Sequence, residues 1–282
     1  MLDLPELIGG RVRLRAMARW LDEPGLKFFG VGVFSTPSDE ISYGLRSTDV
    51  GVEVAGRAGR WLGYGVGVGY LDARSSDGSE SPSIGSRPAS EIPGQGADAT
   101  WLRTSVFAAV DTRRSPGYTN RGGLYSVSFH DYEDRGRAFG FTRTDVDLRQ
   151  FVPLLQSNWI IALQARAQIA APSSGDVVPF FMLPTVGGRD TLPGFEDHRF
   201  ADRVSLLLRS ELRWTASPLV DMAVFVDHGT VSPRLQDLRL ADLQRGWGMG
   251  ARLHSSTTTF LRIEAVKSVE GWRYNLAQGV SF

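Results

Sequence analysis

The sequence predicts an all-β protein: a transmembrane antiparallel up-and-down β-barrel of about 12 strands, formed by a single domain over residues 1–282. Three observations predict this fold. The stretch 204–214 alternates with a period of two between apolar residues and polar or charged ones. Similar stretches of about ten residues, the length of a tilted membrane-spanning strand, recur along the chain. The connections between them also alternate between short and long.

The alternation in 204–214 has two structural explanations. In a soluble sandwich, the apolar face would point inward and the charged face would meet water. The polar face, however, carries opposite charges side by side at Arg209, Glu211 and Arg213, and the apolar face ends in Trp214, a residue type enriched at membrane boundaries. These features favour an apolar face in lipid and a charged face in a wet lumen.

Composition is compatible with a barrel. The chain has 282 residues, 22% of them charged, and a mean hydropathy of −0.14. It contains no apolar run long enough for a membrane helix, as expected when every second residue of a strand faces water. Cysteine is absent, which fits an oxidising envelope weakly, and the formal net charge of +0 gives no indication of nucleic-acid binding.

Residues 1–10 lack the basic start and apolar centre of a secretory signal. An outer-membrane protein must be exported. We therefore expect the sequence to be a mature form, a fragment, or the product of a gene whose start lies upstream.

Alternation predicts the strands 12–20, 48–55, 62–70, 102–112, 124–132, 142–149, 159–169, 204–214, 220–227, 247–253, 261–265 and 272–282. In 142–149, four alternating charges must face the lumen, because an arginine at the bilayer midplane costs about 2–4 kcal/mol. In 62–70, every lumen-facing residue is glycine. This row either leaves room for something to lie against the wall or eases the curvature of the sheet.

The connections sort by length onto the two sides of the barrel. Long loops are predicted near 21–40, 73–100, 171–202 and 229–244, and short turns at 59–60, 113–121, 152–156, 216–218 and 255–256. Only 133–137 and 268–271 are short on the side of the long loops. Short periplasmic turns and long extracellular loops are typical of bacterial outer-membrane barrels. The predicted location is therefore the bacterial outer membrane.

Several short motifs occur in a fixed order. They are Gly187-Gly188, Leu192-Pro193-Gly194-Phe195, Glu211-Leu212-Arg213, Phe225-Val226-Asp227-His228-Gly229, Gly246-Trp247-Gly248-Met249-Gly250 and the terminal Phe282. In this order the chain resembles the C-terminal barrel of the BamA/TamA family, the bacterial surface antigen superfamily of outer-membrane assembly and secretion translocators. The resemblance covers essentially the whole chain.

The resemblance implies that the long loop folds back into the lumen. Its motif would comprise Gly187, Gly188, Arg189, Leu192, Pro193, Gly194 and Phe195, and its lumen anchors would be Glu211, Arg213, Asp227 and Gly229. Family members usually have an arginine at the tip, where this chain has Pro193. We hypothesise that Arg189 or Arg199 reaches Glu211 or Asp227 instead. Alternatively, these two acids pair across neighbouring strands with Arg209, Arg213 and Arg252.

The resemblance also bears on the ends of the chain. The C-terminal strand and insertion signal would include Trp272, Tyr274, Val280 and Phe282. The family usually has about 16 strands, preceded by periplasmic POTRA modules. Either the first strands are missing here, or the barrel closes with 12–20 beside 274–282. In the family, the seam between first and last strand is a lateral gate for client strands.

We predict no enzyme activity, no cofactor and no metal site. The histidines His130, His198, His228 and His254 have no metal-ligand spacing. Ser126, Ser128 and His130 share a strand face, as in a barrel phospholipase, but this face is on the lumen side and has no evident third residue.

The predicted function is insertion or translocation of polypeptides across the outer membrane. The alternative is a passive pore, or a structural or anchoring barrel without periplasmic modules. Predicted partners are outer-membrane lipid and possible client polypeptides or periplasmic assembly factors, with no nucleic acid.

Overall fold

The computed structural model describes residues 2–7, 12–154 and 158–280. Its main element is a 13-stranded antiparallel sheet in which neighbours in sequence are also neighbours in space. The exception is β8, which pairs with β11, because the intervening loop 173–203 contains the small two-stranded sheet β9–β10. This is the predicted up-and-down barrel.

The strands are β1 (Leu2–Leu7), β2 (Val12–Phe28), β3 (Ile41–Ala58), β4 (Leu62–Asp77), β5 (Asp98–Asp111), β6 (Gly122–Asp134), β7 (Phe141–Leu154), β8 (Trp159–Pro172), β9 (Thr185–Val186), β10 (Phe200–Ala201), β11 (Val204–Ser217), β12 (Val220–Ser232), β13 (Gln244–His254), β14 (Thr259–Ser268) and β15 (Gly271–Ala277). Every predicted strand is present. Within the described residues, no helix is long and apolar enough to cross a membrane.

The two faces of the wall have the predicted polarity. On β11 the lumen-facing charged residues are buried, and the apolar residues between them point outward. Tryptophans mark both rims of the outer surface. Trp159 stacks on Trp214 at the periplasmic end with 5.4 Å between ring centroids, and Trp247 meets Trp272 at the extracellular end with 5.8 Å. Such aromatic belts lie at the headgroup level of a bilayer.

The extracellular strand ends differ from the sequence-based prediction. β2 continues to Phe28 although it contains Pro24 and Gly25, because a bulge between Glu23 and Leu26 takes up this pair. The predicted long loops are therefore shorter, at 29–40, 78–97, 173–203 and 233–243. The strand β1 was not predicted at all.

The glycine row of β4 makes room for side chains of the neighbouring strand. A Cβ on Gly65 would come within 2.4 Å of the Phe107 ring, and one on Gly69 within 2.9 Å of the Arg103 guanidinium. Arg103 crosses β4 through this gap and donates two hydrogen bonds of 2.9 Å to Asp49 on β3. The glycine row therefore allows Arg103 on β5 to form an ion pair with Asp49, which lies two strands away on β3.

This packing predicts a position-specific effect of substitution along β4. We expect Gly65→Val to destabilise the barrel by about 1–3 kcal/mol, because the new side chain overlaps Phe107 and the Val54 carbonyl. Gly63→Val is the matched control, since the nearest atom to its added Cβ is 3.9 Å away. Thermal unfolding in detergent measures both. Equal losses would show that glycine there serves backbone curvature instead.

Both ends of the lumen are covered. At the extracellular end, a hydrophobic cluster including Phe28, Tyr43, Trp101, Phe141 and Phe180 joins the loop 173–203 to the strands. At the periplasmic end, the turn 112–121 crosses to the opposite wall.

The periplasmic crossing is made by specific contacts. The Tyr118 hydroxyl donates to Asp221 over 2.9 Å, and the Tyr118 ring stacks on His254 with 4.1 Å between centroids. Arg213 donates to the Thr119 carbonyl over 3.3 Å. These contacts fix the turn 112–121 beneath the lumen.

Candidate functional site

The two ends of the sheet meet at a seam, which we define as the gap between β15 and residues 17–28 of β2. β1 pairs only with the periplasmic part of β2, from Val12 to Ala16. Within residues 2–7, 12–154 and 158–280, no strand ladder joins β15 to β1 or β2. Both sides of the seam are therefore strand edges.

The backbone of β15 presents hydrogen-bonding groups to this seam. Hydrogen-bonding direction alternates along a strand, and the His254 N–H donates to the Leu219 carbonyl on the β12 side. The pairing registers of β13 with β14 and of β14 with β15 then determine which residues of β15 hydrogen-bond to β14 and which point away from it. It follows that the N–H and C=O groups of Trp272, Tyr274 and Leu276 point to the free edge. The side chain of Tyr274 is 80% exposed.

Two residues of the loop 173–203 bridge the seam, and we call Glu196 and Arg199 the seam strap. Glu196 lies 3.8 Å from Lys27 on β2 and accepts a hydrogen bond from Arg273 on β15. That hydrogen bond lowers the pKa of the Glu196 carboxyl. The bridge therefore stays charged in mildly acidic medium.

Arg199 is the buried half of the strap. Its guanidinium donates to Glu270 in the β14–β15 turn over 2.7 Å. It also donates to the hydroxyl and carbonyl of Ser35 in the β2–β3 loop, over 2.9 and 2.7 Å. The rings of Phe29 and Phe200 lie 5.0 and 4.6 Å from it. One side chain thus ties together the two connections that flank the seam at its extracellular end.

The predicted loop motif lies inside the lumen against β12–β15. Leu192 and Phe195 are buried in a cluster with Val33, Val186, Phe200 and Val231. The Pro193 carbonyl accepts from Asn275 over 3.3 Å, and the Gly194 carbonyl accepts from Ser268 over 2.6 Å. The tip therefore contacts the last strands through main-chain carbonyls.

Glycine is favoured at three positions around this tip. Gly187 and Gly188 have φ of 127° and 88°, which side chains of L-residues rarely adopt. On β12, Gly229 lies under the loop, where an added Cβ would come within 3.3 Å of Leu192. These positions allow the loop to lie close to the wall.

The hypothesis that Arg189 or Arg199 holds Glu211 or Asp227 is wrong. Arg199 binds Glu270 and Ser35, as described above, and Arg189 donates to the Leu276 carbonyl on β15 over 3.4 Å. Neither side chain reaches the lumen acids because both lie near the seam, on the side of the loop that faces β15.

The alternative is confirmed in its partners, Arg209, Arg213 and Arg252, but only the pair of Arg209 with Asp227 joins neighbouring strands. Arg209 on β11 donates to both oxygens of Asp227 over 3.1 and 3.4 Å. The same guanidinium reaches the Asp190 carbonyl of the loop over 3.5 Å. A strand arginine therefore contacts the loop backbone here, whereas the resemblance implies a loop arginine contacting strand acids.

Glu211 is the centre of a second buried network. It accepts hydrogen bonds from Arg213, over 3.0 Å, and from Arg252 on β13. All three side chains are 2% exposed. A charge at this depth needs partners, since an unpaired buried ion costs several kcal/mol.

The predicted C-terminal signal is only partly described. Trp272 and Tyr274 lie on the outer face of β15, whereas Val280 follows the end of this strand at Ala277. Phe282 lies outside the described residues. β15 is shorter than the predicted strand 272–282.

The Ser126, Ser128 and His130 face does point into the lumen, and an acid lies near it. His130 Nε2 is 3.3 Å from Ser128 Oγ and 3.9 Å from Asp145. Because serine and acid approach the same ring nitrogen, the acid cannot orient the imidazole while the other nitrogen activates the serine. Among the described residues there is no cluster of histidine and acidic side chains able to hold a metal ion.

Sequence reasoning missed the residues that join distant parts of the chain. No local sequence pattern indicates that Glu196 and Arg199 bridge the seam. None indicates the contact of Tyr118 with Asp221 either. The pairing of Arg209 with Asp227 did have a signal, since both lie on lumen faces of adjacent predicted strands.

An antiparallel barrel with aromatic belts, a charged lumen and an inserted extracellular loop defines an integral outer-membrane protein. The sequence profile of the Omp85 superfamily domain matches residues 14–266. The chain belongs to the Omp85 superfamily, and the predicted resemblance to BamA/TamA-type barrels is confirmed. A search of curated protein sequences gives no match.

Three solved structures are similar to this fold. BamA from Haemophilus ducreyi, lacking POTRA domains 1–3, superposes with a TM-score of 0.68 at 15% identity, covering 98% of this chain and 59% of that chain. CdiB from Escherichia coli gives 0.61 at 14%, covering 96% and 49%. CdiB from Acinetobacter baumannii gives 0.58 at 14%, covering 95% and 47%. The chain thus spans about half to three-fifths of these structures.

Proposed function

We propose that this barrel inserts or translocates polypeptides by pairing a client strand with the free sheet edges at the seam. The observation that carries the proposal is the pair of unpaired edges, β15 and residues 17–28 of β2, in one sheet. Strand edges template the addition of another strand.

The strap explains how such an edge is compatible with a stable barrel. Exposed edges promote unwanted pairing unless they are covered. Glu196 and Arg199 bridge the seam through side chains only, so that it can open without breaking a strand ladder.

In this proposal, the motif Gly187 to Phe195 positions the strap. The tip contacts β14 and β15 through Ser268 and Asn275, while Arg209 holds the Asp190 carbonyl. The anchors Glu211, Arg213, Asp227 and Gly229 then act as the rigid wall against which the loop rests. The partners would be client polypeptides and the periplasmic factors that deliver them.

The packing of the lumen supports this function over a passive pore. A pore needs a continuous wet path, but the extracellular end is filled by buried aromatic and aliphatic side chains. The periplasmic end is crossed by the turn 112–121. We expect low, intermittent conductance in planar bilayers.

Locking the seam tests the proposal. The chain has no cysteine, so Phe34→Cys and Val269→Cys add an exposed pair beside Ser35 and Glu270 without removing a strap contact. We expect a bis-maleimide cross-link between them to abolish insertion of an unfolded outer-membrane protein into proteoliposomes.

The single-cysteine variants treated with the same reagent, and the untreated double variant, are the controls and should stay active. Full activity of the cross-linked protein would contradict insertion through the seam.

A further inference from the structure

Three basic side chains lie next to one another on the outer surface near the extracellular end of β12–β14. We call His228, Arg245 and Lys267 the outer cationic row, in which Arg245 and Lys267 carry the charge. His228 and Arg245 are directly opposite each other on β12 and β13. Lys267 on β14 is opposite Trp247, which lies two residues after Arg245 on the same strand face. Arg245 and Lys267 are therefore diagonal neighbours, and residues in this relation are about 7–8 Å apart.

The row lies at the depth of lipid headgroups. Trp247, Lys267 and Trp272 face one another across three adjacent strands. The Lys267 ammonium is 5.9 Å from the centroid of the Trp272 ring. Tryptophans mark the boundary between hydrocarbon and headgroups. Arg245 is closer to the extracellular end of β13 than Trp247, so its guanidinium lies just outside that boundary.

Arg245 and Lys267 have no acidic partner among the side chains that the structure describes. Within residues 2–7, 12–154 and 158–280, neither Arg245 nor Lys267 forms an ion pair. Two basic residues on the outer face of β3 and β4 behave differently. Arg46 pairs with Asp22 over 3.0 Å, and Arg74 pairs with Asp98 over 3.0 Å. Arg245 and Lys267 thus differ from these two residues, because no described acid neutralises their charge.

We propose that the outer cationic row binds the phosphate groups of an anionic lipid in the outer leaflet. Arginine and lysine donate charge-assisted hydrogen bonds to phosphate oxygens, and basic residues near a membrane surface attract anionic headgroups. The adjacent tryptophans contact the acyl chains just below. Such a lipid would be held against β13–β15, beside the edge on which client strands would pair.

Lipid binding to the purified protein tests this site. Native mass spectrometry measures retention of phosphorylated lipid A, with enzymatically dephosphorylated lipid A as the reference ligand. We expect the double substitution Arg245→Gln and Lys267→Gln to lower affinity for the phosphorylated lipid by about tenfold and to leave the reference unchanged. Arg74→Gln, on the outer face of β4, is the matched control and should bind like the parent protein.

Other outcomes overturn the proposal. Unchanged retention by the double variant would show that the row does not bind this lipid. Displacement by millimolar inorganic phosphate alone would identify a general anion site instead. Loss of the dephosphorylated lipid as well would indicate altered packing of the wall. Arg245 and Lys267 make no ion pair with the described residues, and Arg74 is 60% exposed in its pair with Asp98, where water screens the charges. Both variants should therefore keep the unfolding temperature of the parent, which is checked first.

Discussion

Replacing Glu211 with glutamine should destabilise the barrel by about 3–5 kcal/mol, the largest stability effect that we expect in the lumen. Glutamine keeps the size of the side chain but removes the charge between Arg213 and Arg252. Both arginines are 2% exposed, so that water cannot replace the lost carboxylate. The substitution removes the charge of one member of a buried ionic network. Glu264 lies 3.8 Å from Arg252 but is shared with Arg262, so that the buried positive charge is under-compensated, which accounts for the cost.

Glu53→Gln is the matched control for this prediction. Glu53 also faces the lumen and lies 3.3 Å from Arg15, but its side chain is 31% exposed and that of Arg15 is 36% exposed. Water screens this pair, so we expect a loss below about 1 kcal/mol. Unfolding of both variants by urea in detergent gives the comparison. Similar losses at the two positions would mean that burial does not determine the strength of the lumen pairs.

Replacing Arg199 with alanine should release the seam strap. The substitution removes the hydrogen bonds to Glu270 and Ser35 and leaves the Glu270 carboxylate, which is 12% exposed, without its cation. We expect the contact between the loop 173–203 and the β2–β3 loop to weaken and the stability of the barrel to fall by about 3 kcal/mol. The hydrogen bond from the Gly32 N–H to the Ala201 carbonyl and the packing of Val33 on the loop remain. Planar-bilayer recording should then detect more frequent and larger openings.

Arg189→Ala is the control for the strap, because Arg189 lies on the same loop but is half exposed. Its contacts are a 3.4 Å hydrogen bond to the Leu276 carbonyl and an exposed 3.7 Å ion pair with Asp190. We expect its conductance and stability to match those of the parent. If Arg199→Ala also left the recordings unchanged, Arg199 would have no role in holding the seam.

The strands of the barrel wall could be predicted from the sequence because alternate residues of a strand face two different environments, lipid and lumen. Arg209, Glu211 and Arg213 face the lumen as expected, and Trp214 lies at the rim. The extracellular ends could not be predicted in this way. Beyond the membrane, the outer face of a strand meets water, so that apolar and polar residues no longer alternate. The part of β2 from residue 21 to Phe28 was therefore not predicted.

The site was less accessible to sequence reasoning. The motif from Gly187 to Phe195 located the loop, but not its partners, because Arg199 and Ser35 are 164 positions apart in the chain. Pro193 stands where family members usually have an arginine, and this difference indicated that the loop is held to the wall by another residue. Arg209, which contacts the loop instead, was named only in the alternative hypothesis, as a strand partner of the lumen acids.

The proposal that clients pair with the edge of β15 is tested most directly by photocross-linking in the outer membrane. A photoreactive residue at Tyr274 lies on the free edge, whereas one at Val66 lies on the lipid face of β4, inside the sheet. During insertion of an unfolded outer-membrane protein, we predict cross-links to the client from Tyr274 and none from Val66. Equal cross-linking from both positions, or none from Tyr274 while insertion proceeds, would contradict edge pairing at the seam.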